Sequence, residues 1–171
     1  MTSEGVAMSD EKRSRLAAIM FTDIVGYSSM MEHDENNAMR IIEAHNSILL
    51  PLIEGFDGRT VDAIGDGLLV VFDSVFSACN CALNIQSAVS SHNSGADGIL
   101  NFLLRISIHM GDIWQEAGRI YGNGVNIAAR LLPLSEPGGI CVSDDIHRQL
   151  KNKTDAQFKH IGTKNLKNIQ Q

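Results

Sequence analysis

No stretch of this chain is apolar enough to cross a membrane. Its apolar runs, such as Leu68 to Phe72, are short, whereas a membrane helix needs roughly 18 residues. Residues 1 to 15 carry charges and no apolar core, so they are not expected to be a secretory signal, and the expected location is cytoplasmic. Basic residues are also few. Lys and Arg number 14 against 20 Asp and Glu, giving a net charge of −6, which argues against a nucleic-acid partner. A nucleotide ligand stays open, because bound divalent cations reverse the local sign. Cysteine is scarce, and Cys79, Cys81 and Cys141 lack metal-ligand spacing. They are expected to be buried free thiols in a reducing compartment. There is no Walker motif, no internal repeat and no low-complexity stretch.

What is present is an ordinary soluble composition, 44% apolar and 20% charged over 171 residues, enough for one domain with its own core. Residues 1–14 read as a flexible leader and 15–171 as the domain. Arg15 to Phe21 reads as a buried strand. Ala38, Ile41, Ile42, Ile48, Leu49 and Leu52 recur at helical steps, with Pro51 expected to kink or end that helix and Asp57-Gly58 to turn the chain. Thr60 to Ile64 and Leu68 to Phe72 flank Gly65-Asp66-Gly67 as a hairpin, its glycines placed for positive φ. Ser74 is expected to cap a helix followed by a polar loop over 91–98. Phe102 to His109 and Ile113 to Glu116 read as a strand pair around Gly111. A short helix after Gly124 should run to about Leu132, closed by Pro133. Ile140 to Val142 reads as a strand and Asp144 to Leu150 as a helix. Strand, helix, hairpin, helix, strand is the ferredoxin-like βαββαβ order of an α+β fold, here with extra C-terminal strands and helices.

Three places carry chemistry. Asp23 directly follows an apolar strand, and Asp66 sits at the hairpin tip. Two such carboxylates can meet across neighbouring strands and bind Mg²⁺ together with substrate phosphates; the plainer reading of Asp66 is a turn residue. Residues Asp23 to Tyr27, around Gly26, can offer backbone N–H groups to phosphate at a helix start. Asn126 and Arg130 lie four apart on the short helix and share a face, where an arginine can stabilise charge developing on a reacting phosphate.

These residues fall in segments that resemble the class III adenylate/guanylate cyclases. Residues 21–28 (FTDIVGYS) are similar to the family's first metal motif, and Ile64-Gly65-Asp66-Gly67 to its second metal loop. Residues 121–131 (YGNGVNIAARL) resemble the helix carrying its transition-state Asn and Arg. Residues 137–143 (PGGICVS) and 166–169 (LKNI) look like later segments of the bacterial branch. The resemblance implies the class III cyclase fold and a catalytic domain over 15–171. It implies cyclisation of ATP or GTP to the 3′,5′-cyclic monophosphate and pyrophosphate, with two divalent cations, Mg or Mn. Asp23, Ile24 and Asp66 would hold the cations. Asn126 would orient the ribose and Arg130 neutralise the α-phosphate. Val25, Gly26, Tyr27 and either Lys164 or Lys167 would touch the triphosphate. It also implies a homodimer with sites at the interface, one subunit lending the carboxylates and the other Asn126 and Arg130.

The sequence departs from the family's adenylate cyclases at the base-recognition pair. A Lys is usual four residues before the second metal Asp, and an Asp three before the glycine that is here Gly122; this chain has Asp62 and Arg119. Three accounts stay open: the pair reads guanine, ATP is recognised by other groups, or the two form a surface ion pair. The competing function is a degenerate cyclase-like module that binds nucleotide or a partner without turnover. A diguanylate cyclase is disfavoured because its Gly-Gly-Asp/Glu-Glu-Phe signature is missing. The six histidines show no ligand spacing, and Met20, Met30, Met31 and Met39 read as core filler.

Overall fold

A computed structural model describes residues 14–95 and 98–166. The expected leader lies almost wholly outside the described residues. The elements run β1 (Arg15–Ile24), α1 (Tyr27–His33), α2 (Glu35–Gly55), β2 (Arg59–Ile64), β3 (Gly67–Phe72), α3 (Val75–Asn93), β4 (Leu104–Glu116), β5 (Arg119–Tyr121), α4 (Asn123–Leu131), a 3-10 turn (Leu132–Leu134), β6 (Ile140–Val142) and α5 (Asp144–Leu150). The sheet order is β2-β3-β1-β4-β5, with β6 parallel to β4. The first four strands of that path have the ferredoxin-like arrangement expected from element order.

β1 is the central strand, antiparallel to β3 on one side and to β4 on the other. Both of its faces are covered, so Ala17 to Thr22 are buried without alternation, as a strand buried on both sides requires. One face packs Met20, Val70, Phe72, Leu104, Ile106 and Ile108 against α2 and α3. Burial of each large side chain there is worth about 1.5–3 kcal/mol. The other face gathers Ala17, Ile19, Phe21, Leu69, Val71 and Ile113 with Ala128 of α4.

The helices begin where capping chemistry allows. Asp34 accepts from Asn37 N at 3.0 Å to start α2, and Ser74 accepts from Ser77 N at 3.3 Å to start α3. Ala38, Ile41, His45, Leu49 and Ile53 form the buried stripe of α2. All three cysteines are buried and free.

Several expectations need correcting. Pro51 does not end α2, which continues to Gly55. Pro51 and Ser47 both lie on the exposed side, so the carbonyl deprived of its proline partner faces water, where it can be solvated. The segments around Gly111 are one continuous strand, β4, rather than a pair. Gly111 is there for close approach: a Cβ on it would come within 2.8 Å of the Gly124 Cα. Gly65 does take positive φ (+62°), but Gly67 does not. A Cβ on Gly67 would stand 2.0 Å from the Thr22 carbonyl oxygen, so this glycine lets the hairpin dock on β1. The loop expected over 91–98 begins later, since α3 reaches Asn93. Met39 is 53% exposed and is not core, whereas Met20 is fully buried. Strand β5 was not foreseen; its turn uses Ala117 at φ +49° beside Gly118, and alanine gives no turn signal.

Candidate active site

Asp23 stands one residue before the end of β1, and Asp66 occupies the two-residue turn between β2 and β3. The close approach at Gly67 lays that turn against the β1 end. There the Asp66 Oδ2 accepts the Ile24 amide at 2.8 Å, and the Leu68 amide donates to Thr22 Oγ1 at 3.1 Å. The two acids are thus brought to one end of the sheet, where β1 finishes and β2 turns into β3. The charge on Asp66 is felt around it. Tyr27 has its hydroxyl pKa raised, first by burial and then by Asp66. Burial lowers that of His45, while its hydrogen bond to Asn46 and the Asp66 charge work the other way.

Asp23 has a partner that the sequence reading missed. Arg105, its direct neighbour on β4, donates from Nε to Oδ1 at 3.0 Å and from Nη2 to Oδ2 at 2.9 Å. This bidentate fork fixes the carboxylate's orientation and balances its charge. The available signal was an arginine set between Leu104 and Ile106 in an apolar strand, a place where a charge needs a partner.

The donor set suits hard divalent cations. Carboxylate and carbonyl oxygens are the ligands such ions take. Among the described residues no group of three or more His, Cys, Asp or Glu side chains is gathered for a metal. The Asp23, Asp66 and Ile24 carbonyl set therefore fits ions whose coordination is completed by water and substrate phosphates, and not a closed protein cage.

Of the loop amides, that of Val25 is engaged by the Leu103 carbonyl at 2.9 Å, so it is not free for a phosphate. Gly26 takes φ +75° and leads into α1 without a side-chain cap. Asn126 is exposed on α4 and Arg130 half-buried. The Arg130 Nη1 is buried with no hydrogen-bond partner among the described residues. An unmet buried donor is costly, and this one belongs to the residue expected to meet a phosphate.

The remaining expected site residues make no hydrogen bond or ion pair with Asp23 or Asp66 among the described residues. Asp62 and Arg119 are both exposed and form no ion pair with each other among the described residues. Lys164 lines a cavity of about 780 Å³ between the C-terminal segment, α4 and α5, with Ile127 and Leu131 on its α4 side. It stands by α4, the helix that carries Asn126 and Arg130, although neither of those two lines the cavity. Lys167 lies outside the described residues.

Comparison with known proteins bears on the family and the fold. The family model described as adenylate and guanylate cyclase catalytic domain matches residues 9–170. A protein named putative adenylate cyclase 3 from Rhizobium meliloti (strain 1021) is 39% identical over 159 residues, covering 92% of this chain and 27% of that protein. This chain thus spans about a quarter of that relative's length. The crystal structure of an adenylate/guanylate cyclase/hydrolase from Silicibacter pomeroyi superposes with a TM-score of 0.85 at 37% identity, covering 92% of each chain. The guanylate cyclase domain of RhGC from Catenaria anguillulae, solved in complex with GTP, shares the fold at a TM-score of 0.71 and 20% identity, over 82% of this chain and 85% of that one. On the strength of the nearly full-length family match and the 39% identical relative, the chain belongs to the adenylate and guanylate cyclase catalytic domain family.

Proposed function

We propose that this domain converts a purine nucleoside triphosphate, ATP or GTP, into its 3′,5′-cyclic monophosphate and pyrophosphate, as a homodimer with two shared sites. The observation that carries this reading is the Asp66 carboxylate docked on the Ile24 amide at 2.8 Å, beside Asp23. In the reaction the ribose 3′-oxygen forms a bond to the α-phosphorus and loses its proton. The bond from the α-phosphorus to the α–β bridging oxygen breaks, and pyrophosphate leaves with that electron pair. Two divalent cations, Mg or Mn, held by Asp23, Asp66 and the Ile24 carbonyl, would supply activation of the hydroxyl and neutralisation of the triphosphate. Arg105 holds Asp23 in the orientation this requires. Asn126 positions the ribose, and the unmet Arg130 Nη1 meets charge developing on the α-phosphate. Gly26 and Tyr27 border the phosphates at the carboxylate half, and Lys164 reaches them from the Arg130 half.

Asp62 and Arg119 address the base. With no ion pair between them, they are free to match guanine, the acid accepting from the ring N–H and amine and the arginine donating to the carbonyl oxygen. ATP recognised by other groups is the alternative, so both nucleotides belong in the assay. No helix among the described residues is long and apolar enough to span a membrane.

The test is complementation. Asp23→Ala and Arg130→Ala proteins should each be inactive with Mn²⁺ and either nucleotide. Mixed, they should regain part of the wild-type rate, because one heterodimer site keeps both groups. Wild-type protein that forms no cyclic product at high concentration would instead favour a binding module without turnover.

A further inference from the structure

Along the face of β4 that carries Arg105, the side chains at two-residue steps each perform a different attachment. Arg105 grips Asp23. Ser107 donates its hydroxyl to the Ala128 carbonyl at 2.7 Å. His109 Nδ1 meets Ser143 Oγ, at the start of α5, at 2.8 Å. Gly111 gives room for Gly124, at the start of α4. The period of two puts all four on one side of the sheet. Arg105 belongs to the carboxylate half of the site, and His109 joins α5. Ser107 and Gly111 both act on α4.

We infer that Ser107 is a positioning residue for the cyclase reaction, fixing the rotation of α4 and hence the aim of Asn126 and Arg130. The inference rests on the cyclase reading above. Ala128 lies midway between those two residues on α4. Its carbonyl lies in the last turn of the helix and, with two lone pairs, accepts the Ser107 hydroxyl in addition to any helical N–H. Ser107 is wholly buried, so no water replaces its hydroxyl at that carbonyl. The Gly111–Gly124 crossing sets the depth of the helix at its first turn; a Cβ on Gly124 would meet the Gly111 Cα at 2.9 Å and the Ile19 side chain at 3.0 Å. The buried Ile127, Ala128 and Leu131 also hold α4 on the sheet, but apolar packing is non-directional and leaves the helix some freedom to roll about its axis. The Ser107 hydrogen bond, one turn further along, removes that freedom. Asn126 and Arg130 then need no contact of their own with the sheet, and the unmet Arg130 Nη1 is held in place by the backbone beneath it.

Ser107→Ala should lower kcat about tenfold, since small misplacements of groups acting in the transition state are costly. KM should change little, because the loss is confined to that state. Ser107→Cys, with a weak S–H donor in nearly the same volume, should fall between alanine and wild type. Polarity separates positioning from a general loss of fold. In the complementing pair, the working site takes its carboxylates from the Arg130→Ala chain and its α4 from the Asp23→Ala chain. Ser107→Ala added to the Asp23→Ala chain should reduce the restored rate, and added to the Arg130→Ala chain should leave it unchanged. Equal loss in both placements, or loss in neither, overturns the positioning role. A complementing pair without any product, alongside inactive wild type, overturns the cyclase reading and this inference with it.

Discussion

Replacing Gly67 by alanine probes the metal loop while leaving every charge in place. The added Cβ would sit 2.0 Å from the Thr22 carbonyl oxygen and 3.1 Å from its carbonyl carbon. Both atoms belong to the backbone of the central strand, where Thr22 is paired with Ile106, so neither can rotate away. A normal carbon–oxygen approach is roughly 3.3 Å, and the hairpin must therefore retreat by about 1.3 Å. That displacement stretches the 2.8 Å bond between Asp66 and the Ile24 amide beyond the roughly 3.2 Å limit of a hydrogen bond. Overpacking of this kind costs about 1–3 kcal/mol, which in a domain of this size lowers Tm by roughly 3–10 °C. An ångström of misplacement at a reacting centre costs about a hundredfold in rate. The assay is cyclic nucleotide formation across a Mn²⁺ titration, with thermal denaturation of the same samples. Gly67→Ala should remain folded at 25 °C, need more Mn²⁺ for half-maximal rate, and turn over about a hundredfold more slowly. Gly65→Ala is the control. Its Cβ meets nothing within 4 Å and suffers only the left-handed φ of +62°, a strain of about 1–2 kcal/mol, so most activity should survive. A Gly67→Ala protein with wild-type rate and Tm would refute the docking argument.

Two further outcomes follow from contacts already described. Arg105→Lys keeps the charge but loses the two-pronged grip on Asp23; steady-state assays should show a clear fall in kcat, while Tm moves little because a partly exposed pair contributes about 1 kcal/mol or less. His45 and His109 are kept neutral in the folded protein, burial holding both below the ordinary 6.5. The unfolded chain therefore takes up protons on both as pH falls through about 6.5, ahead of the folded chain, and stability present above that pH is lost below it. Melting curves from pH 7.5 to 5.5 should show Tm falling as stability drops by up to about 1.4 kcal/mol per pH unit for each histidine, with a shallower slope in His109→Asn; a flat profile in wild type would refute this.

The order of elements and the two acids were legible in the sequence because they rest on local signals: apolar periodicity, a glycine-flanked tip, a polar residue at a strand end. What stayed hidden was set by distant neighbours. Gly111 and Gly67 read as turn residues, since nothing local says that Gly124 or Thr22 presses against them. Pro51 read as a kink or an end of the helix because its exposure, which makes it tolerable, comes from how α2 lies on the sheet. Arg105 looked like one charge in a strand until the pairing of β1 with β4 placed it opposite Asp23. Ser107 gave no signal at all; a serine in an apolar strand has no meaning before the helix above it is known.

The pairing of β1 with β4 extends over ten consecutive positions, from Arg15 opposite Ile113 to Ile24 opposite Leu104. Its length has a consequence for fidelity. Sliding one strand by a single residue would turn all of its side chains over. Arg105, Ser107, His109 and Gly111 would be driven into the oily layer beneath α2 and α3, while Leu104, Ile106 and Ile108 would surface under α4. Misalignment by one step would thus cost the core and the chemistry together, so a chain that has collapsed correctly has, by the same act, set its working residues on the correct side.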